Sequence, residues 1–168
     1  MSGLESIDWS KQHCGVYQAP YSAAVAIMRV IEPILNTLMV VDPREYTYDV
    51  KVHMLMPGQY PCIPGWHVDM VPRDSERKQD FSRIQATRKM FLWLSGPPLT
   101  QFKDGREVKP FTWTAFTQLD EHRGRSAEEH CWRCFIRAVP VSILRPASPE
   151  AWRRRHSQVY LDAEKFKW

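Results

Sequence analysis

Long apolar runs are missing from this 168-residue sequence. No stretch approaches the roughly 18 consecutive apolar residues that a membrane-spanning helix needs. The opening residues, MSGLESIDWSKQH, also lack the basic start and apolar stretch of a secretory signal peptide. We therefore expect a soluble, cytoplasmic protein with no membrane partner.

Cysteine is scarce as well, with only four residues in the chain. In a reducing compartment, Cys14, Cys62, Cys131 and Cys134 are expected to be free thiols. Cys131 and Cys134 have the spacing of a zinc-binding pair, but their segment is typical of a strand, on which residues three apart point to opposite faces. A second Cys-x-x-Cys pair is missing from the sequence, so the cysteines do not predict a structural zinc site.

Internal repeats and low-complexity segments are also missing. The chain is 43% hydrophobic and 25% charged, which is ordinary for a globular protein, and we assign residues 1–168 to a single domain. The net charge of +4 and the pI near 8.9 are mildly basic. Such a charge is compatible with binding nucleic acid or an anionic small molecule, and it does not distinguish them.

Two patterns predict secondary structure in the first third of the chain. Apolar residues recur at helical spacing over residues 21–39, which predicts a packing helix that Pro33 kinks or interrupts. Residues 46–56 alternate strictly, which predicts a strand with one apolar and one polar face. The apolar face contains Tyr46, Tyr48, Val50, Val52, Met54 and Met56, and the polar face contains Thr47, Asp49, Lys51 and His53.

The remaining segments predict a core built mainly of strands. Residues 89–94, 111–119 and 131–139 are typical of strands, and the sequence KDG indicates a hairpin turn after a short strand. A serine cap followed by proline predicts a tail helix over residues 149–161. This order predicts an all-β core over residues 46–140 with flanking helices, either a barrel or a jelly roll.

His67 and Asp69 follow a turn-rich stretch and belong to a short extended segment, PGWHVD. On an extended chain, residues i and i+2 share a face, so both side chains can reach one metal ion. A third ligand has to come from another segment, and His122 and His130 are the candidates. Two histidines and one carboxylate form the facial triad of non-haem Fe(II) oxygenases, which leaves positions open for a co-substrate and O₂.

Arg133 and Arg137 lie four residues apart on the strand predicted at 131–139, so they share a face. A guanidinium group binds a carboxylate at two points. Either arginine therefore suits the far carboxylate of 2-oxoglutarate, the co-substrate that such oxygenases commonly use.

These residues form the order His67-x-Asp69, then His122, then Arg133 eleven residues later. The order resembles the HxD…H…R pattern of the 2-oxoglutarate/Fe(II)-dependent dioxygenase superfamily, and the phrases PGWHVD, HRG and WRCFIR are similar to small cupin-like oxygenases of phage and bacterial genomes. The resemblance covers roughly residues 46–140. It implies a double-stranded β-helix (a cupin-like jelly roll) and hydroxylation coupled to decarboxylation of 2-oxoglutarate, in the host cytoplasm if the protein is phage-encoded. It also implies Fe(II) ligation by His67, Asp69 and His122 and a 2-oxoglutarate clamp at Arg133.

The choice between the two candidate histidines depends on spacing. His122 closes the strand predicted at 111–119, and its gap to Arg133 leaves room for a turn between two strands. His130 lies only three residues from Arg133, so the two would face opposite sides of one strand. With His130 as the ligand, Arg137 would become the candidate clamp.

Three further residues are candidates for the rim of the pocket or for substrate contacts: Trp66, Tyr60 and Arg73. Arg73 begins a polar segment, residues 73–83, that is expected to be an exposed loop. The substrate is predicted to be a small molecule or a nucleobase, and a nucleobase would have to be unstacked to reach the metal.

The basic run WRRRH suggests two rival functions. Its arginines, Arg153, Arg154 and Arg155, are candidates for contact with nucleic-acid phosphates. The protein would then be a nucleic-acid-associated accessory protein that uses its basic tail. The other rival is a non-catalytic, cupin-like protein that binds a small anionic ligand through the two arginines of the predicted strand.

Overall fold

The structure is a computed structural model that describes residues 3–13, 15–38, 42–143, 153–154 and 159–161. Among these residues, no helix has the length and apolar character needed to cross a membrane. Short 3-10 turns occur at Trp9–Lys11, Arg29–Ile31, Pro43–Glu45 and Phe81–Arg83. The other elements, in chain order, are β1 (Gly15–Pro20), α1 (Tyr21–Ile27), α2 (Glu32–Asn36), β2 (Tyr46–Leu55), β3 (Gln59–Tyr60), β4 (Met90–Leu94), β5 (Thr100–Phe102), β6 (Thr114–Phe116), β7 (His122–Gly124), β8 (Cys131–Pro140), β9 (Arg153–Arg154) and β10 (Tyr160–Leu161).

A six-stranded antiparallel sheet, here the main sheet, has the order β6-β4-β8-β2-β1-β9. At its centre, β2 and β8 pair over ten residues, from Tyr46 opposite Pro140 to Leu55 opposite Cys131. The predicted strands at 46–56, 89–94 and 131–139 are all confirmed as members of this sheet. The register places Asp49 opposite Arg137 and Lys51 opposite Phe135.

The two faces of β2 follow the predicted alternation. Tyr48, Val50 and Val52 are buried in the largest apolar cluster. The polar face does not point into solvent either. Asp49 and His53 on this face are only 2% and 1% exposed. Charged groups buried in a sheet interior require partners, and this face therefore marks the side of the sheet where a site lies.

The predicted helix over residues 21–39 is two helices. α1 ends at Ile27, because the non-helical backbone of Met28 (φ −136°, ψ 73°) breaks the helix five residues before Pro33. Pro33 lies in the first turn of α2, where a missing backbone N–H is tolerated. Both helices cover one face of the main sheet, and the buried cluster contains Ala24, Met28, Ile31, Ile34, Leu35 and Leu38 with Tyr48, Val50, Trp93, Cys134, Ile136 and Ala138.

The other face of the main sheet is opposed by a smaller layer, here the roof. β5 pairs with β7, and β3 pairs with β10. Between them, the chain at residues 58–67 runs antiparallel to residues 122–127, with backbone hydrogen bonds of 2.8 Å from Gly124 to Ile63 and from Ala127 to Gln59. Gly124 permits this approach, because a Cβ there would lie 2.7 Å from the Cys62 carbonyl oxygen.

Several predictions about the strands and the tail need correction. The described strands form open antiparallel sheets, and no closed barrel or jelly roll is detected among them. The strand predicted at 111–119 is confined to β6, because Phe111 adopts a left-handed backbone (φ 59°) that interrupts an extended chain. The KDG turn forms at Gly105 (φ 81°), but β5 before it pairs with β7 and not with the segment that follows.

The tail helix predicted over residues 149–161 is wrong where the structure describes this region. β9 pairs with β1, and β10 pairs with β3. These pairings hold the backbone extended, which overrides a local capping signal. The capping residues Ser148 and Pro149 lie outside the described residues.

The contact between the helices and the main sheet gives a first prediction. Ile136 is fully buried in the cluster that joins the two layers. We expect Ile136→Ala to lower the free energy of unfolding by about 2–5 kcal/mol, because it leaves a cavity in a packed core. Chemical denaturation measures this change. Leu119→Ala is the control, since Leu119 is 53% exposed, and a similar loss in both variants would contradict the proposed packing.

Candidate metal centre

His67 and His122 lie next to each other although 55 residues separate them in the sequence. They form an antiparallel bridge in which each backbone N–H donates to the other residue's carbonyl, at 3.0 Å and 2.9 Å. The two imidazole rings lie 4.4 Å apart between centroids. The pairing of segment 58–67 with segment 122–127 therefore brings the two histidines together.

Asp69 completes the group. The candidate ligand atoms of His67, Asp69 and His122 all lie within 4.8 Å of one another, and within the described ranges this is the one group of three or more His, Cys, Asp or Glu residues that could hold a metal ion. The Nε2 atom of His122 lies 3.5 Å from Oδ2 of Asp69. The structure thus brings together the three residues that the HxD…H pattern singled out.

Backbone carbonyls orient both imidazoles. Nδ1 of His67 lies 2.8 Å from the Gly65 carbonyl oxygen, and Nδ1 of His122 lies 3.0 Å from the Asp120 carbonyl oxygen. A carbonyl oxygen can only accept, so Nδ1 carries the proton in both rings. In the neutral imidazole, each Nε2 then keeps its lone pair, which is the arrangement typical of metal-binding histidines.

The surroundings of His122 are apolar and well supported. The rings of Phe102 and Phe116 lie 5.5 Å and 5.7 Å from its imidazole, and His122 is only 5% exposed. Two residues before His122, the Asp120 carboxylate accepts hydrogen bonds from Thr117 and forms an ion pair with Arg106. These contacts fix the turn whose carbonyl orients the imidazole.

Arg137 links Asp69 to the main sheet. Its Nη1 donates to Asp69 Oδ2, while its Nε donates to Asp49 Oδ2 at 2.9 Å and its Nη2 to the same oxygen. Asp49 in turn accepts a 2.9 Å hydrogen bond from the backbone N–H of Gln18. The guanidinium is therefore shared by the buried carboxylate of Asp49 and the partly buried carboxylate of Asp69, and it cannot easily serve a third.

The pKa directions agree with this geometry. Burial alone would raise the pKa of Asp69, but the charge of Arg137 and the hydrogen bond that Nε2–H of protonated His122 donates hold it far below its ordinary value. Burial would lower the pKa of His122, and the hydrogen bond and charge of Asp69 outweigh it and raise that pKa. Burial lowers the pKa of His67, and the neighbouring His122 adds to the effect. Asp69 is therefore a carboxylate at neutral pH.

Arg133 has a different environment. It is 1% exposed, its Nη2 donates to Thr100 Oγ1 at 3.3 Å, and its Nε has no hydrogen-bond partner among the described residues. Its guanidinium lies 5.7 Å from the centre of the Phe135 ring. Burial lowers the pKa of Arg133 to about 10. Among the described residues, no carboxylate forms an ion pair with this buried cation, whereas Arg137 forms ion pairs with two carboxylates.

A cavity of about 180 Å³ lies between the main sheet and the roof. The metal-ligand candidates open into it from the roof. Because its volume is small, it suits a small organic molecule. Its lining includes Lys51, Phe135 and Arg137 from the main sheet and Thr100, His122 and Tyr160 from the opposite side.

Three further residues, Trp66, Tyr60 and Arg73, were predicted to lie at the rim of the pocket. Trp66 is 39% exposed, and Arg123 lies over its ring at 4.5 Å. Tyr60 is on β3, where it pairs with Tyr160. Arg73 is exposed in the predicted loop, and its Nη1 donates to the Arg77 carbonyl at 2.6 Å. None of the three predicted rim residues is among those that line the cavity.

The structure also gives the positions of His130, of the Cys131–Cys134 pair and of part of the basic tail. His130 is exposed and is not part of the metal-ligand group. Cys134 is fully buried in the core beneath the helices, while Cys131 packs in a separate small cluster, so the two cysteines do not converge. Of the basic tail, β9 contains Arg153 and Arg154, and Arg155 lies outside the described residues.

Sequence reasoning missed several residues of the site. Asp49 and Lys51 were identified only as members of a polar strand face, and Thr100 was not singled out. The signal for the first two was available, since polar residues that alternate within a central strand have to face a partner or a ligand. No comparable signal marks Thr100, which reaches the site through the pairing of β5 with β7.

Comparisons of the chain with protein-family models, with curated proteins and with solved structures find no match. The resemblance to 2-oxoglutarate-dependent dioxygenases therefore depends on the motif residues and on their arrangement in space.

The shared guanidinium gives a second prediction. We expect Arg137→Met to lower the free energy of unfolding at neutral pH by about 3–5 kcal/mol, because it leaves the buried Asp49 and the partly buried Asp69 without a cation. In the native protein, the lowered pKa of Asp69 adds stability that is present above its ordinary value of 3.8 and is lost as the pH falls below it. The unpaired acids of the variant are instead relieved by protonation, so the difference should narrow as the pH falls.

Urea unfolding of both proteins at several pH values measures this difference. Arg88→Met is the matched control, because Arg88 is exposed. A gap between the native protein and Arg137→Met that stays constant toward acidic pH would show that the arginine acts by packing and not by charge.

Proposed function

We propose that this protein is an Fe(II)- and 2-oxoglutarate-dependent oxygenase. The observation that carries the proposal is the convergence of His67, Asp69 and His122 at one cavity, with both Nε2 atoms available. Two imidazoles and one carboxylate are the ligand set that non-haem Fe(II) oxygenases use. When bound, Fe(II) would supply the activation of O₂ that couples oxidative decarboxylation of 2-oxoglutarate to hydroxylation of a substrate.

The residues around the ligands have separate roles in this proposal. Arg137 keeps Asp69 ionised and oriented, so the carboxylate is ready to bind a cation. Phe102 and Phe116 keep water away from His122. The carbonyls of Gly65 and Asp120 hold both imidazole protons on Nδ1.

Arg133 is the proposed clamp for the far carboxylate of 2-oxoglutarate. Arg137 is already paired with two carboxylates, whereas Arg133 has an unsatisfied Nε and no carboxylate partner among the described residues. Thr100 joins its Nη2 to the cavity wall and can donate its hydroxyl proton to the same carboxylate. The charge balance therefore favours Arg133 over Arg137 as the clamp.

The proposed fold is a double-stranded β-helix that is open in its described part. Two facing antiparallel layers support it, with the histidines on the roof and the arginines on the main sheet. The proposed substrate is a small molecule, since a cavity of about 180 Å³ that also accepts 2-oxoglutarate leaves little room for a macromolecular segment. A flipped nucleobase and the basic tail as a phosphate contact stay predictions from the sequence.

The second candidate function is binding of a small anionic ligand without turnover. The unpaired buried charge of Arg133 favours it, because an anion would satisfy that charge whether or not a metal is present. The two functions differ in whether the site binds a metal and consumes O₂, which the following experiments separate.

Metal binding is the third prediction. Titration of the anaerobic protein with Fe(II) and then 2-oxoglutarate should produce a weak visible charge-transfer band and, on admission of O₂, succinate. His122→Ala should abolish the band, since loss of a ligand should exceed the about 10–100-fold loss in affinity that follows loss of an outer-shell partner. His130→Ala is the control, because His130 is exposed. A native protein that binds no metal would refute the oxygenase proposal.

The clamp gives the fourth prediction. Arg133→Met should weaken 2-oxoglutarate binding by about tenfold or more, since hydrogen bonds to charged groups contribute about 1.5–3 kcal/mol. Fe(II) affinity should stay within about twofold, because Arg133 does not contact the metal ligands. Equilibrium titrations of metal and co-substrate measure the two affinities separately. Equal loss of both would indicate misfolding, and loss of neither would exclude Arg133 as the clamp.

A further inference from the structure

Lys51 places an amine in the wall of the cavity, and this amine has no role in the proposed metal centre. The residue lies on β2, and its side chain lines the cavity. Its Nζ lies 6.0 Å from the centre of the ring of Phe135, the residue directly opposite on β8. Within the described part of the chain, no carboxylate oxygen lies within 4.0 Å of this Nζ and no side-chain hydrogen bond engages it.

The strand register places a second cation beside Lys51. Arg137 lies opposite Asp49, so it is a diagonal neighbour of Lys51 on the same face of the paired strands β2 and β8. Its guanidinium already holds the carboxylates of Asp49 and Asp69. The amine therefore lies next to a like charge whose counter-ions are engaged elsewhere.

These surroundings disfavour the charged form of the amine. Burial lowers the pKa of Lys51, and the neighbouring Arg137 lowers it further. Three acidic groups act in the opposite direction without reversing the shift: Asp49, Cys62 and Asp69. A lysine that is desolvated, or that lies next to another cationic group, is a nucleophile because more of it is the free amine at neutral pH. The other titratable side chains that line the cavity are those of His67, His122 and Tyr160.

The cavity around the amine suits a small and largely apolar ligand. Four apolar side chains share its lining with Lys51: Ile63, Leu92, Phe116 and Phe135. The volume of about 180 Å³ admits only a small molecule. A carbonyl compound with a short apolar body fits both the lining and the reactivity of a free amine.

We propose that Lys51 is a second reactive group of the cavity, which binds a small aldehyde or ketone covalently as an imine. The amine nitrogen attacks the carbonyl carbon, and a C=N bond replaces the C=O bond. The carbonyl oxygen leaves as water with the two hydrogens of the amine. This condensation needs no oxidant, reductant or metal, so it does not rest on the proposed oxygenase reaction.

The test uses the full-length protein in the presence of a metal chelator, with propanal as the carbonyl probe and sodium cyanoborohydride as the trap. Cyanoborohydride donates hydride to the imine carbon and fixes propanal on each lysine as a stable amine, which peptide mass spectrometry quantifies. At neutral pH, Lys51 should be labelled faster than Lys109, an exposed lysine that serves as the internal reference. Labelling of Lys51 should also persist to lower pH than labelling of Lys109, because its amine loses its proton more readily.

Two controls assign the effect to the folded cavity. In urea-unfolded protein, the labelling rates of Lys51 and Lys109 should become equal, because the surroundings of Lys51 are lost. Lys51→Arg keeps the positive charge but removes the amine, so labelling at this position should disappear while Lys109 is labelled as before.

The inference is overturned if Lys51 is labelled no faster than Lys109 in the folded protein, or if the ratio of the two rates is the same after unfolding. Fe(II) binding and succinate formation are measured separately and decide only the oxygenase proposal.

Discussion

The pairing of Arg137 with Asp49 and Asp69 is the interaction on which the site depends. One guanidinium joins the central strands of the main sheet to the His-x-Asp segment of the opposite layer. Without it, the buried carboxylate of Asp49 and the partly buried carboxylate of Asp69 would lack a cation and would be strongly destabilising. The position of Asp69, a candidate metal ligand, is therefore coupled to the register of β2 and β8. A shift in the pairing of these two strands would displace its carboxylate.

Much of the main sheet could be predicted, because long central strands carry their pattern locally. Residues 46–53 alternate along most of β2, and Tyr48, Val50 and Val52 of the apolar face pack under the helices, whereas Met54 near the end of the strand is 38% exposed. Short strands carry too few residues for a pattern. The left-handed backbone of Phe111 lies before β6 and keeps that strand from starting at residue 111, and β10 is extended because it pairs with β3, about 100 residues earlier in the chain.

The sequence predicted which residues form the candidate site, but it did not predict which partner each arginine has. His67, Asp69 and His122 follow from a motif, and the structure brings them together. The sequence could not separate the roles of Arg133 and Arg137, since the two share a strand face and differ only in what lies across from them. In the structure, Asp49 pairs with Arg137 and not with Arg133, and that pairing spans 88 residues of sequence.

The two walls of the cavity differ in how firmly they are held. The main sheet is paired over ten residues at its centre and is covered by helices, whereas β5 and β7 in the roof share three residue pairs. Opening free energies follow buried contacts and hydrogen bonds, so segmental unfolding takes less free energy in the roof. The cavity can thus open by transient detachment of the roof while the main sheet, with its buried arginines, stays folded.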